Sequence, residues 1–440
     1  MEAEFFTAVK HSFRSVIGEK AVVFSQYGTS EELNEQGKGY PVLRLNEFDS
    51  AFIGRPAKYC ELSSAEFAEL QLRDGDVLIC RTNGNPKLVG KSALVPKDYQ
   101  YAFASYLFRV RPDIAIINSE TLVAYLNSRF GRHEIEQFAM RGNQANFSPA
   151  KFRQIQVPVL GSRVNNAIKE LTRRAFSNNE KSKAIYCEAE QMLLTELGFA
   201  GWSPTDAAVS VKSYSDFVSA GRLDAEYFQP KYDELFTLLD KGKTRPLGGK
   251  DGLVDIQRSI EPGSDTYSDK GIPFVRIADF TEMGIMSPEI RISPEICADS
   301  PRPKKDTILL SKDGSVGIAY KVEEDLDIVT SSGILHLLVK DVTVLPDYLT
   351  LVLNSKIVRL QAERDAGGSI IQHWKRSEIE RVRIPLLPLP RQRAIATKVQ
   401  SSFALRAESK RLLGIAKRMV EMAVEQGETV ALEWLGQMKV

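Results

Sequence analysis

The sequence predicts a mixed α/β fold, α+β in character, in which two repeated domains are separated by two long helices. Three observations carry this. A set of short motifs occurs twice, in the same order and at a nearly constant separation. Each copy alternates short apolar runs with amphipathic segments of helix length. Each copy is followed by a proline-free stretch of helix formers long enough for about ten turns.

The repeat sets the domain count. Lys38-Gly39-Tyr40-Pro41-Val42-Leu43-Arg44-Leu45-Asn46-Glu47-Phe48 matches Lys270-Gly271-Ile272-Pro273-Phe274-Val275-Arg276-Ile277-Ala278-Asp279-Phe280 at an offset of 232 residues. The run Asp76–Gly84 matches Asp306–Gly314 at 230. Leu126-Asn127-Ser128 matches Leu353-Asn354-Ser355, and Val157-Pro158 matches Ile384-Pro385, both at 227. The drift of a few residues is what loop deletions produce. The duplicated unit is about 150 residues, an ordinary domain size. The resulting division is a first domain over 1–160, a central long helix and linker over 161–225, a second domain over 226–388 and a C-terminal long helix over 389–440.

Within each copy the elements follow in order. Val42–Phe48 and Phe274–Phe280 read as strands. Asp76–Arg81 and Asp306–Ser311 are strands ending at a glycine-containing turn. Ser105–Arg111 and Gly333–Val339 are strands. Ser119–Phe138 and Pro346–Arg364 are helices, with Pro346 suited to a first turn. Phe152–Val159 and Ile379–Leu386 are closing strands. Residues 162–199 and 391–427 each read as one long helix. Their apolar residues recur at three and four: Ile168, Leu171, Ala175, Ile185, Ala189 and Met192 in one, and Leu412, Ile415, Met419 and Ala423 in the other.

Composition narrows the function. The 440 residues include 58 basic and 57 acidic side chains, a net charge of +1, so any nucleic-acid surface must be local. Cys60, Cys80, Cys187 and Cys297 form no CxxC pair, and neither they nor His11, His133, His336 and His373 have metal-ligand spacing. The hydrophobic fraction is 43%, yet no run approaches a membrane span. The start, MEAEFFTAVKHSF, is acidic and mixed rather than a signal peptide. A reducing, cytoplasmic setting with no membrane partner is expected.

Several catalytic spellings fail on inspection. Gly84-Asn85-Pro86-Lys87-Leu88-Val89-Gly90-Lys91-Ser92 imitates a phosphate-binding loop. It has one residue too many between its glycines, and Pro96 opposes the helix that should follow. The second copy lacks the lysine. A glycine turn between strands, with Lys87 and Lys91 exposed, fits better. Glu408-Ser409-Lys410 has a nuclease-like spelling but lies on a long helix, where charges form a solvated face. A methyltransferase needs a glycine-rich cofactor turn and an Asn/Asp-Pro-Pro-aromatic loop, and neither string occurs. The chain reads as catalytically empty.

Taken together, GIPFVRIADF, DTILLSKDGSVG, YLxxxLNSK, GGSIIQHW and IPLLPLPRQRAI resemble one target-recognition domain of a type I restriction–modification specificity subunit. The resemblance covers about residues 222–440. It is fainter in the first half, which keeps YPVLRLNEF, the glycine turn, YLNSRF, GNQANFS and VPV but lacks the proline-rich turn after Val159. The resemblance implies two target-recognition domains, each reading one half of a split site in double-stranded DNA. It implies that the long helices lie antiparallel as a coiled-coil-like spacer and bind two modification (methyltransferase) subunits. Restriction (translocase) subunits are a further partner in such systems. The chain itself would need no cofactor; S-adenosylmethionine, ATP and Mg would belong to the partners. About 37 helical residues span roughly 55 Å, against about 34–36 Å per turn of DNA. The alternatives are a non-catalytic scaffold binding protein or RNA, or the recognition region of another DNA-modification or defence complex.

Side chains that pair with base edges or phosphates recur at the loops. The candidate DNA-binding residues in the first copy are Arg44, Arg81, Asn83, Lys87, Lys91, Arg141, Asn143, Gln144, Asn146 and Arg153. In the second copy they are Arg276, Lys312, with Asp313 beside it, Ser315, Gln372, His373, Lys375 and Arg376. Arg44 and Arg276 carry a second reading as structural ion pairs, and Trp374 reads as a packing anchor. Ile168, Leu171, Met192, Leu412, Ile415 and Met419 are expected to be shared between helix pairing and partner contact.

Overall fold

The computed structural model describes residues 13–139, 145–207, 209–286, 288–366 and 372–438. The chain forms two compact units, Met1–Lys181 with Leu405–Val440, and Ser182–Ala404. These divisions fall inside the long helices, not at their ends. Among the described residues no helix is long and apolar enough to cross a membrane.

The first unit is built on a six-stranded mixed sheet. In spatial order its strands are Val22–Tyr27, Leu107–Pro112, Val77–Cys80, Ser92–Leu94, Phe52–Ile53 and Phe48–Asp49. Val77–Cys80 is apolar throughout because both faces are covered. Val77 and Ile79 enter the core beneath the helices, while Leu78 and Cys80 pack with Leu43 and Phe103 on the other face. A smaller sheet pairs Tyr40–Leu43 antiparallel with Lys58–Cys60 and parallel with Ala102–Phe103. The repeated glycine before it is required. At Gly39, φ is +83° and a Cβ would stand 2.1 Å from the Cys60 carbonyl oxygen; at Gly271, φ is +104° and the distance to the Ile292 oxygen is 2.2 Å.

The second unit repeats this frame. Its main sheet has the order Val254–Gln257, Ile334–Val339, Ile308–Ser311, Ala319–Lys321, and Ile272–Val275 pairs with Arg291–Ile292 and Val329–Thr330. The sheet faces correct the sequence register at the glycine turn. Ile308 and Leu310 face the helical core and Leu309 faces the other cluster, so they correspond to Val77, Ile79 and Leu78. The structural offset here is 231, one more than the motif match, since a one-residue slip would turn every side chain to the wrong face.

Two sequence expectations are corrected in both copies. The strands predicted over Val42–Phe48 and Phe274–Phe280 stop at Leu43 and Val275, where 3-10 turns Leu45–Glu47 and Ile277–Asp279 begin. Each single predicted helix is two: Ser119–Leu126 with Arg129–Phe138, and Pro346–Asn354 with Lys356–Asp365. The break has a cause in the Leu-Asn-Ser repeat. The Asn127 amide donates to the Ser92 carbonyl (2.8 Å) and accepts from its N–H (3.2 Å). The Asn354 amide does the same to Ala319, at 2.8 and 2.9 Å. Ser128 and Ser355 then donate to Tyr125 and Val352 carbonyls, both at 2.6 Å, where a straight helix would continue.

The long helices run Ser162–Glu196 and Leu389–Gln426, close to the predicted limits. Gly427, with φ +95°, ends the second, and a separate helix Glu428–Gln437 follows, which the sequence reading had merged with it. Within the first unit the two helices are antiparallel, with Ser409 donating to the Ala175 carbonyl (2.7 Å). Within the second unit they are antiparallel too, tied by Ser182 to Ser402 (3.0 Å) and Glu188 to Lys398 (2.7 Å). Ile168, Leu171, Leu412, Ile415 and Met419 are 0–5% exposed in the core of the first unit. Met192 packs, partly buried, against the core of the second. These residues supply the packing of the long helices within each unit.

The two cores differ at a buried polar position of the central sheet. Arg109, 4% exposed, reaches the Asp76 carboxylate at 3.1 Å and the Gln71 carbonyl at 2.7 Å. His336 takes the equivalent place on its strand, opposite Leu309 as Arg109 is opposite Leu78. It is buried against the Thr330 hydroxyl at 2.9 Å. Burial pushes its imidazole down to about 4, whereas an unfolded histidine titrates near about 6.5. Between those values the unfolded chain takes up a proton and the folded chain does not. Stability is therefore full above pH 6.5 and is lost as pH falls toward 4, by about 3 kcal/mol at most. Urea unfolding of the full chain followed between pH 7 and 4.5 is expected to weaken less steeply in His336→Gln than in the parent. Equal slopes would rule out this contribution.

Candidate nucleic-acid interface

The strand Val77–Cys80 delivers Arg81 to one end of the first unit's main sheet, and its neighbours there deliver two tyrosines. Tyr27 closes the edge strand opposite Phe108. Tyr106 precedes the next strand and accepts the Arg81 N–H on its carbonyl at 2.8 Å. Both rings are solvent-facing, 46% and 62% exposed. A second loop closes on this end: Thr82 bridges Asn146, and Phe147 N–H donates to the Arg81 carbonyl at 2.8 Å. Beneath it Phe147 is fully buried against Phe108 and Phe152. Asn83 turns inward, its side chain accepting from Asn85 N–H at 2.8 Å. Arg153, exposed, donates to the Ser25 hydroxyl on the edge strand at 3.0 Å. Arg81, Asn83, Asn146 and Arg153 are thus brought to one sheet end. Arg141, Asn143 and Gln144 lie outside the described residues.

The second unit builds the same junction from other side chains. Lys312 N–H donates to the Gly333 carbonyl at 2.9 Å, and Trp374 N–H to the Lys312 carbonyl at 2.8 Å. Asp313 bridges His373, and Gly314 N–H donates to the Gln372 carbonyl at 2.9 Å. Lys312 therefore stands where Arg81 stands, Asp313 for Thr82, Gly333 for Tyr106, His373 for Asn146, and exposed Arg258 for Tyr27. Trp374, 1% exposed, takes the place of Phe147 as the packing anchor. The Asp313 carboxylate holds two neighbours, the Lys312 ammonium on one oxygen and the His373 Nδ1 on the other at 2.7 Å. Gln372, Ser315, Lys375 and Arg376 are exposed around it. Lys375 stands 3.7 Å from Glu378, and Arg376 is held by Glu380 at 2.8 Å.

Other candidates sit apart from the junction. Arg44 is paired with Glu47, which also accepts the Arg44 backbone N–H at 2.7 Å. Arg276 is bound to Asp279 in the same way, at 3.4 Å through Nε. Both repeated arginines thus cap the 3-10 turn, the structural alternative raised by the sequence. Lys87 is exposed on a 3-10 turn, Pro86–Leu88, while the expectation of an exposed Lys91 is corrected. Lys91 is half-buried, and burial pushes its ammonium down, with Asp49 as its acidic neighbour. The chain after Lys91 enters a strand, Ser92–Leu94, so no helix N-terminus is available for a phosphate. Sequence reasoning missed Tyr27, Tyr106 and Arg258. VVFSQY before Gly28 is a β-branched and aromatic strand signal that would have placed Tyr27.

The fold is thus two α/β copies whose sheet ends carry the same loop junction. Residues 252–412 match the family described as the type I restriction modification DNA specificity domain. A stretch of 90 residues is 31% identical to the specificity subunit of the type I restriction enzyme EcoKI of Escherichia coli (strain K12), covering 20% of this chain and 19% of that protein. A stretch of 118 residues is 25% identical to the StySPI specificity subunit of Salmonella potsdam, covering 27% of this chain and 25% of the relative. The chain thus spans a quarter or less of these relatives. Among solved structures it is similar to the HsdS subunit of Thermoanaerobacter tengcongensis, 16% identical with a TM-score of 0.31 over 95% of this chain and 98% of that one. The type I S subunit of M. genitalium is 12% identical, with a TM-score of 0.42 over 97% and 98%.

The two kinds of arginine should separate in a melting experiment. Arg44→Ala and Glu47→Ala are each expected to cost about 1 kcal/mol, since a charge-assisted cap is lost. Arg81→Ala should leave the melting temperature within about a degree, because surface positions contribute little. A larger loss for Arg81→Ala than for Arg44→Ala would reverse the assignment.

Proposed function

We propose that this chain is the DNA-reading subunit of a type I restriction–modification enzyme. Each of its two domains reads one half of a bipartite target in double-stranded DNA. The observation that carries this is the duplicated junction with exchanged side chains. One backbone frame presents Tyr27, Arg81, Tyr106 and Asn146 in one copy and Arg258, Lys312, Gly333 and His373 in the other. A shared frame with different polar heads suits two readers of different sequences, because base edges are told apart by donor and acceptor pattern. Lys87, Arg153, Ser315, Gln372, Lys375 and Arg376 are suited to phosphates around each site. A net charge of +1 agrees with readers confined to two local surfaces.

In this reading the long helices set the gap between half-sites. Their solvated faces, not the buried apolar stripe, dock two modification subunits. Chemistry belongs to those partners, which bring S-adenosylmethionine, and to restriction subunits using ATP and Mg, in the cytoplasm. Purified alone, the chain is expected neither to methylate DNA nor to hydrolyse ATP, and substantial S-adenosylmethionine-dependent labelling of DNA would overturn that part.

The decisive measurement is methylation mapping of genomic DNA from cells with and without the chain. A bipartite motif that appears only with it is expected. Replacing residues 226–388 with the matching domain of a relative should change one half of the motif and keep the other half and the gap. Inserting four residues after Ala175, roughly 6 Å of helix, should change the gap by one or two base pairs and keep both halves. A swap that altered both halves, or binding to RNA in place of duplex DNA, would defeat the proposal.

A further inference from the structure

Arg81 differs from the paired arginines of the first unit. Arg44, Arg73, Arg109, Arg111, Arg129 and Arg173 each reach a carboxylate. Arg132 donates to two backbone carbonyls, and Arg153 to a serine hydroxyl. The Arg81 guanidinium has no acceptor among the described residues. Its Nε is buried without a hydrogen-bond partner. What it has is a surface to lie on: its guanidinium carbon stands 5.3 Å from the centroid of the Tyr27 ring. Its backbone is fixed on both sides, by the Tyr106 carbonyl and the Phe147 N–H, each at 2.8 Å.

These restraints determine what the side chain can offer. The backbone bonds fix where it starts and the ring limits how it swings. The buried Nε leaves the two terminal nitrogens as its outward donors. A flat pair of donors held at the end of a sheet matches two adjacent acceptors on a planar partner. In duplex DNA the major-groove edge of guanine, O6 beside N7, presents that pair, and arginine is its commonest partner. A phosphate would be served equally by a lysine, a flexible point charge. At the same place in the second unit stands Lys312, tied to Asp313 and lying beside Gly333 in place of an aromatic ring.

Resting on the DNA-reading function above, we propose that Arg81 reads a guanine in the first half-site and that Tyr27 is its positioning residue. Tyr27 acts through its ring face, so a phenylalanine suffices and an alanine does not.

The test is the methylation motif of cells carrying the full chain with its partner subunits. Arg81→Lys should relax one guanine position in one half of the motif, with a loss of preference on the order of ten- to a hundred-fold at that position. Tyr27→Ala should relax the same position to a lesser degree, and Tyr27→Phe should restore it. The other half-site and the gap should be unchanged, and melting curves of the variants should coincide with the parent. Uniformly weaker methylation with an unchanged motif in Arg81→Lys would make Arg81 a phosphate contact and overturn the proposal. Relaxation by Arg81→Lys that Tyr27→Ala fails to reproduce would overturn the positioning role. Absence of any bipartite motif in the parent would instead remove the DNA-reading function itself.

Discussion

Each unit depends on an asparagine side chain acting as a peptide bond. Where no neighbouring strand reaches the first residue of a short strand on one side, its N–H and carbonyl lack a ladder partner, and leaving them so when buried is costly. The Asn127 and Asn354 amides supply the missing donor and acceptor to Ser92 and Ala319. Because each asparagine lies at the end of a helix, the same bonds anchor that helix to the sheet and force the chain to turn there. The turn starts the second helix, and the chain after that helix returns to the sheet end where the polar loops meet. The position of the candidate interface therefore follows from a bond made in the interior of each unit.

The frame also accounts for where much of the charge of this nearly neutral chain goes. Many of its basic groups are paired with carboxylates: Arg173 with Glu120 and Asp74, Arg245 with Asp341, Lys321 with Asp306, Glu323 and Asp347. Under the proposed function, a partner would meet local basic side chains such as Arg81 and Arg153 at the loop end of the first sheet. This is economical for specificity, because a diffuse positive field would hold any DNA equally well.

Much of this was legible in the sequence. The duplication, both long helices to within a few residues, the strand–glycine turn–strand unit and the buried role of Trp374 all followed from periodicity and from matches in order. The errors share a physical origin in side chains bonding to backbone. Leu-Asn-Ser sits inside an unbroken helical pattern, and only the strand it meets reveals why the helix stops. Arg44 and Arg276 looked like repeated polar contacts because repetition marks importance without saying which kind; a carboxylate three residues on was the missed signal. The register at the glycine turn slipped by one because Asp76 and Asp306 are identical, while the sheet face that decides the alignment is a three-dimensional property. Tyr27 and Tyr106 were overlooked because neither carries a motif; their nearness to Arg81 comes from strand pairing.

The unlike interiors of the two copies limit how such a protein can be rearranged. Asp76 is wholly buried and is matched by Arg109 and Arg111 from a neighbouring strand. The corresponding strand of the second copy brings His336, and its partner strand brings no carboxylate but Thr307. A genetic crossover between the copies that fell between residues 76 and 109 would leave a buried charge without its counterpart, a defect costing about 3–5 kcal/mol. Crossovers beyond those limits would keep each pair intact. Recombination should therefore exchange these domains as whole cassettes, and a lineage can acquire new pairings of domains far more readily than it can blend two domains into an intermediate one.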